Sequence, residues 1–585
     1  MATLSPDASP LSVERTASPV APRPTSQREL DEMISRLRDG APAFARLSLE
    51  DRIALARSMQ TGYLRVADRS VQAACAAKGI PPGAPVAGEE WATGPWCVVR
   101  HLRLVMESLQ ALKRTGDTAI GPLGQTRDGR LTVRVFPASR LDAVLLSGVT
   151  VDVHLEQGMN EEAARTTRAS FYKGRAHQGR TVLVLGAGNI AAIPAMDVIT
   201  KLFNEAAVCL LKMNPVNAYL GPFIEAAFAE AIARNFLAVA YGGAAEGAYL
   251  AQHPGIDQIH LTGSDRTYES IVWGPPGPER EARKARNDPV IKKPVTAELG
   301  NVSPVLVVPG PYSDRALAFR AESIAGAVTY NASFVCNAAK MLVTPKAWDK
   351  RRTLLASIES VLSQVPTRKA YYPGAEDRWR RLTEGRGGVR RIGTPGPGEL
   401  PWTVLAGLDA GAVSEPAFTT EPFCSILSET EVGSADPVEF LDRAVDFANN
   451  QLWGTLSADL VIHPKLLKDP RIAEALERAI ARLRYGAVTV NGWTGFIFGF
   501  GTPPWGAYPG STPANIQSGN GWVHNTPMLE GIEKAVLRHP LTIVPKPASF
   551  PSHRTAHTLM RRMTHLEGRP SWLKLPGIIA TALRG

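Results

Sequence analysis

Residues 181–213 read TVLVLGAGNIAAIPAMDVITKLFNEAAVCLLKM. The opening run, 181–186, is apolar without polar alternation, which predicts a strand buried on both faces. Residues 190–205 carry helical periodicity, and AVCLLKM (207–213) is a second buried strand. The alternation continues through a helix over 222–233, a short strand in LAVAYGG, a helix over 244–252 and a strand in DQIHLTG. Strands and helices at this spacing predict right-handed βαβ units on a parallel sheet. A second alternating set starts at Val295 and runs through SPVLVV, KMLVTP, FCSILSE, TLSADLVIH and AVTVNG. The fold class is therefore α/β, with two Rossmann-like parallel-sheet domains divided near Lys293.

Outward from this centre the patterns change. Residues 1–26 are rich in Pro, Ser and Ala without periodicity, and are expected to be disordered. Two amphipathic helices follow, ended by Gly40 and Gly79, then a Gly/Pro-rich loop over 81–94 and a helix over 96–114. Residues 130–155 have strand character, and WGPPGPEREARKARNDPVIKKP (273–294) reads as an exposed charged loop. The expected division is a cofactor-binding domain over 27–294, a catalytic domain over 295–500, a return segment over 501–545 and a basic tail over 546–585.

At 585 residues the chain is too long for one core. Hydrophobic residues make up 44% and charged residues 21%, the balance of a soluble enzyme. The five cysteines, Cys75, Cys97, Cys209, Cys336 and Cys424, form no CxxC pair and no Cys/His cluster. That spacing points away from a disulfide framework or a structural metal and fits a reducing compartment. The first residues lack the apolar core of a secretory signal, and no run approaches the roughly 20 apolar residues of a membrane span. A cytoplasmic protein is expected. The net charge of +10 is concentrated from Lys546 onward, where seven Lys/Arg accompany one acid. A solvated surface is the ordinary reading of such charge. Nucleic acid is not expected as a partner, and weak peripheral contact with a membrane is the alternative.

Two residues suggest chemistry. Glu298 ends one strand-like run, and Cys336, 38 positions on, precedes another beside small residues. A thiol and a carboxylate so placed suit covalent catalysis at a carbonyl carbon. GAGNIA, from Gly186 to Ala191, matches the dinucleotide fingerprint G-x-G-x-x-A. The following strand ends in Lys212, however, where an acid that holds a ribose hydroxyl is ordinarily required.

The ordered set GAGN, LLKMNP, HLTGS, TAELGN, FVC and TEPF resembles the aldehyde dehydrogenase superfamily over about residues 27–540. The resemblance implies a β-hairpin oligomerisation arm within 131–155, a homodimer or homotetramer, and oxidation of an aldehyde to a carboxylic acid with NAD or NADP. It implies Cys336 as nucleophile through a thiohemiacetal and thioester, Glu298 as general base, and Asn189 as an oxyanion donor. Lys212 resembles the ribose-binding lysine, Gly263 and Ser264 the pyrophosphate turn, and Glu421 and Phe423 the nicotinamide side. Gly186 and Leu299 fall among the implied cofactor contacts.

Departures from the pattern leave NAD versus NADP open. Pro215 stands where an acid is frequent, Tyr268 replaces a glycine, and Ser333 and Phe334 precede the cysteine. Phe334 and the aromatics of NGWTGFIFGFGTPPWGAYPGS (491–511) suggest a hydrophobic aldehyde, aliphatic or aromatic. An acyl-CoA reductase using the same thioester is the runner-up, disfavoured by Glu298. A non-catalytic binding protein on the same fold is the third reading.

Overall fold

The computed structural model describes residues 22–174 and 178–585. Two sheets organise the chain, as the alternation predicts. The first has five parallel strands in the order Leu237–Ala240, Val208–Lys212, Thr181–Leu185, Gln258–Gly263 and Val295–Leu299. The chain winds outward from Thr181–Leu185 in both directions. Such a switch point opens a crevice beyond the carboxyl ends of the strands. The second sheet has eleven strands. Seven are parallel, in the order Trp402–Leu408, Ile426–Val432, Met341–Pro345, Pro304–Val307, Ser457–Val461, Ala487–Val490 and Ile532–Arg538.

The strand Val295–Leu299 corrects the domain boundary. It pairs with Gln258–Gly263 and completes the first sheet, so the crossing to the second sheet falls at Gly300. A buried parallel strand reads alike in either sheet, so the local pattern does not assign it.

The segment taken as an exposed loop contains a helix, Pro278–Arg286. Pro at its first turn, acids Glu279 and Glu281 there, bases in its last turn and left-handed Asn287 at its end are all helix signals. Gly40 does not end its helix either. The helix runs Gln27–Ala45, and a Cβ at Gly40 would stand 2.3 Å from the Asn235 carbonyl oxygen. This glycine serves close packing. Gly79 is a left-handed cap at φ 69°.

The hairpin strands Leu131–Phe136 and Thr150–Leu155 pair antiparallel, and the second pairs with Ile532–Arg538 of the same chain. The expected arm thus extends its own eleven-stranded sheet. Of the N-terminal segment, residues 1–21 lie outside the described residues, while Thr25 exchanges hydrogen bonds with Tyr241. The basic segment folds as two helices, Ala556–Gly568 and Leu575–Leu583. Its one acid, Glu567, is buried in ion pairs with Arg100 and Arg103. Among the described residues no helix is long and apolar enough to cross a membrane.

Candidate active site

Glu298 sits near the carboxyl end of Val295–Leu299, in register with Thr262. Its carboxyl is buried and accepts a hydrogen bond from Trp505 Nε1 at 3.2 Å. Burial, reinforced by the charge of Asp197, pushes its pKa up to about 8, against the lowering pull of hydrogen bonds from Trp505 and the Cys336 thiol. At neutral pH most of Glu298 therefore carries its proton. Burial and the nearby Glu298 also push the Cys336 thiol well above its ordinary range.

Cys336 is delivered by an unusual loop. After the helix Asp314–Thr329, three successive residues have left-handed backbones: Asn331 at φ 50°, Ala332 at 54° and Ser333 at 71°. Such conformations cost roughly 1–3 kcal/mol each for residues with a Cβ, and persist only where the surroundings over-determine them. The Asn331 side chain supplies that determination. Its amide nitrogen donates to the carbonyls of Asn189 at 2.9 Å and Phe334 at 3.0 Å, and its oxygen accepts from Lys78 Nζ at 2.9 Å. The Asn331 backbone N–H donates to Glu89, which is paired with Arg368 at 2.7 Å. Beyond the loop, the Cys336 carbonyl accepts from Lys340 Nζ at 2.6 Å and Ser303 Oγ at 3.1 Å, which fixes the cysteine backbone.

Asn189 belongs to the buried turn after Thr181–Leu185, and its amide nitrogen donates to the Phe334 carbonyl at 3.0 Å. One amide hydrogen remains. The Asn189 end of the turn faces the nucleophile loop. Gly186 is buried and gives its N–H to the Lys212 carbonyl at 3.1 Å, so that amide is not available to a phosphate. The helix begins at Ile193, later than the motif suggests, and is buried along its length.

The neighbouring junction differs. Gly263 and Ser264 are exposed, and Ser264 caps the helix Asp265–Trp273 through its bond from Thr267 N at 3.2 Å. An exposed helix N-terminus attracts phosphate. Lys212 ends Val208–Lys212 with an ammonium that makes no hydrogen bond or ion pair among the described residues; burial lowers its pKa, opposed by the Glu246 charge. These residues fit the diphosphate and ribose of a nicotinamide dinucleotide. At the other end Glu421 is paired with Lys340 and lies against Gly300, where a Cβ would meet its carboxylate. Phe423 packs on Tyr372 at 4.9 Å and Phe334 at 5.8 Å. Leu299 is buried, with its N–H given to Ser518 O at 2.8 Å.

Cys336 opens on an apolar cavity of about 460 Å³, walled near the sulfur by Ile190, Tyr330, Val335 and Trp493. The aromatics Phe496, Phe498 and Phe500 line it, as 491–511 suggested. Phe334 does not; it is buried in the aromatic cluster behind the loop, because the left-handed turn directs it away from the cavity.

No protein-family profile and no curated protein sequence matches the chain. Solved structures do. The NADP-dependent glyceraldehyde-3-phosphate dehydrogenase of Bacillus halodurans C-125 superposes with a TM-score of 0.59 at 17% identity, covering 88% of this chain and 91% of that one. The NAD-dependent aldehyde dehydrogenase of Sinorhizobium meliloti gives 0.57 at 18% identity, covering 90% and 88%. Aldehyde dehydrogenase C of Pseudomonas syringae, complexed with NAD+ and octanal, gives 0.59 at 16% identity, covering 88% and 89%. The chain has the aldehyde dehydrogenase fold.

Within that fold the sequence motifs bring Glu298, Cys336 and Asn189 to one centre, and Lys212 and Ser264 to the carboxyl edge of the first sheet. Sequence reading passed over Asn331, Lys78, Glu89, Lys340 and Asp197. Asn331 had one local signal, since Asn enters the left-handed region more readily than most residues. The others act only through tertiary contact.

Proposed function

We propose that the chain is an NAD(P)-dependent aldehyde dehydrogenase that oxidises an apolar aldehyde to the carboxylic acid through a thioester on Cys336. The supporting observation is the Cys336 thiol on the wall of an apolar cavity with the buried Glu298 carboxyl beside it.

In this reading ionised Glu298 takes the thiol proton, and the sulfur attacks the aldehyde carbon. The carbonyl oxygen becomes an oxyanion, for which the Cys336 backbone N–H and the remaining Asn189 amide hydrogen are the donors at hand; such a donor is typically worth about 2.7–4 kcal/mol of the barrier. When bound, an oxidised nicotinamide supplies the hydride acceptor. Lys212 and the Ser264 helix start hold its sugar and diphosphate. Loss of hydride from carbon leaves a thioester on Cys336. Glu298, having returned its proton to solvent, deprotonates a water. The hydroxide adds, the carbon–sulfur bond breaks, and the free acid leaves. The burial that raises the Glu298 pKa brings it into the working range of a general base.

The test is purified protein with an aliphatic aldehyde and NAD or NADP, without coenzyme A. Stoichiometric reduced cofactor and free acid are expected. The Cys336→Ala variant should lose turnover while cofactor still quenches tryptophan fluorescence. A requirement for coenzyme A, or no product at all, would reject the reading.

A further inference from the structure

The cavity at Cys336 does not end inside the aldehyde dehydrogenase core. Its outer wall is made by Leu145 of the hairpin segment and by Leu559, Met560 and Met563 of the helix Ala556–Gly568, with Ile578 and Ala582 of Leu575–Leu583. The C-terminal segment is thus part of the tunnel. At the far end Val144, Val544 and Ile579 both line the cavity and are exposed, Val544 by 74%. A volume near 460 Å³ lies within the roughly 300–1,000 Å³ of sites that enclose drug-sized ligands. Its one charged lining residue, Lys546, bonds to Ser552. The wall is mainly apolar, its polar side chains being Thr93, Ser147, Asn337, His539, Lys546 and Ser549.

The face around the mouth is unusual. Along Leu575–Leu583 the exposed residues are Pro576, Gly577, Ile579, Ala580 and Leu583, none charged. Trp572 and Leu573, just before it, are 54% and 91% exposed. Ile579 and Leu583, four residues apart on the α-helix, share one face and extend the apolar rim, with exposed Trp572 in the 3-10 turn just before the helix. Around them stand exposed Arg562, Arg569 and Arg584, with partly exposed Lys574. The segment's one acid, Glu567, is buried in its ion pairs. Apolar side chains with an interfacial tryptophan, ringed by bases and without exposed acid, match an anionic lipid surface in chemistry and charge.

We propose that the two C-terminal helices dock on anionic lipid bilayers, and that a long unbranched aliphatic aldehyde passes from the lipid through the Val144–Val544–Ile579 mouth to Cys336. The substrate half rests on the aldehyde-oxidation reading; the docking half does not.

The experiment therefore has two arms. In the first, full-length protein without cofactor or aldehyde is sedimented with phosphatidylcholine vesicles, with and without phosphatidylserine. Binding to the anionic vesicles, weakened by salt and by at least about tenfold in Leu573→Glu/Leu583→Glu, is expected. Failure to bind overturns the docking, as does a change in oligomeric size of that variant without lipid, which would assign the face to a protein contact. In the second arm kcat/KM is measured for butanal, octanal and dodecanal. A rise of about tenfold or more from butanal to dodecanal is expected as methylenes enter the tunnel. Butanal oxidised as well as dodecanal overturns the long-chain substrate and leaves aldehyde oxidation standing. Oxidation of none overturns the function itself, and the vesicle result still decides the docking.

Discussion

Two strand-to-helix junctions lie side by side at the carboxyl edge of the five-stranded sheet, and they have opposite fates. The first, after Thr181–Leu185, carries the glycine motif that reads as a phosphate cradle. It is wholly buried; the Gly186 N–H goes to Lys212, the Ala187 carbonyl accepts from Asn217, and Asn189 bonds to the nucleophile loop. The second, after Gln258–Gly263, carries the glycine and serine of HLTGS, and of the two it alone presents an open helix N-terminus. A glycine motif specifies what backbone geometry is allowed; burial determines what can reach it. In the function proposed above, the motif-bearing junction serves the sulfur and the open one serves an anion. The two should separate kinetically, the first acting through kcat and the second through cofactor affinity.

The largest effect tests the shared edge between them. Glu298 is one strand over from the Ser264 junction yet belongs with the sulfur. Glu298→Gln should lower kcat by about 10²–10⁴-fold and leave cofactor affinity intact. In the parent protein, on the proposed function, kcat should fall as pH drops below about 8, where the carboxyl takes up its proton. Stability carries the opposite sign. The folded protein holds this proton up to about 8 while the free carboxyl loses it near 4.5, so stability declines as pH rises between those values. The Gln variant should flatten that decline in thermal melts. A variant with an unchanged melting profile would place Glu298 in a more polar setting than described.

Next comes the brace of the loop. Asn331→Ala removes the side chain that ties the left-handed turn to both Asn189 and Lys78. A misplaced sulfur by about 1 Å can cost about 10²-fold in rate. That loss is expected in kcat, again without change in cofactor binding. If affinity fell in parallel, the buried junction would have to touch the cofactor after all.

Gly188→Ala strikes the buried junction directly. Its Cβ would come within 2.6 Å of Asn214 Oδ1 and 2.9 Å of Val216 Cβ. Overpacking of this kind destabilises by about 1–3 kcal/mol, readable as a lower unfolding midpoint in urea. A near-neutral result would show the turn to be looser than its burial implies.

How much of this was visible beforehand follows from the range of the forces involved. The two sheets were legible because parallel strands and their helices impose apolar periods within a few residues. So were Glu298 and Cys336, whose residue types carry chemistry. The helix Pro278–Arg286 was hidden by its Pro/Gly flanks and heavy charge, although its terminal residues are good capping signals. The direction of the glycine turn was not legible, because it depends on Phe334, 145 positions away. The left-handed loop depends on Glu89, 242 positions from Asn331. The C-terminal segment reads as a tail because part of its apolar partnership lies on helices near the other end of the chain; Met560 packs with Ala67, Val71 and Trp91.

The smallest expected effect is also the cleanest discriminator between the junctions. Ser264→Ala removes a cap worth about 1 kcal/mol and leaves the exposed amides of the first turn in place. Little volume changes, and the residue is remote from the hydrogen bonds that hold Cys336. Cofactor Kd should therefore weaken by a few-fold, up to about tenfold, since a free-energy change of about 1.4 kcal/mol is a factor of ten. The kcat at saturating cofactor should stay within error. Placed beside Asn331→Ala, the result is a double dissociation: one variant moves rate and spares affinity, the other does the reverse. Should Ser264→Ala instead lower kcat at saturation, the open junction would be coupled to the sulfur through Thr262 and Glu298, their partners in the strand register, and the division of labour along this sheet edge would fail.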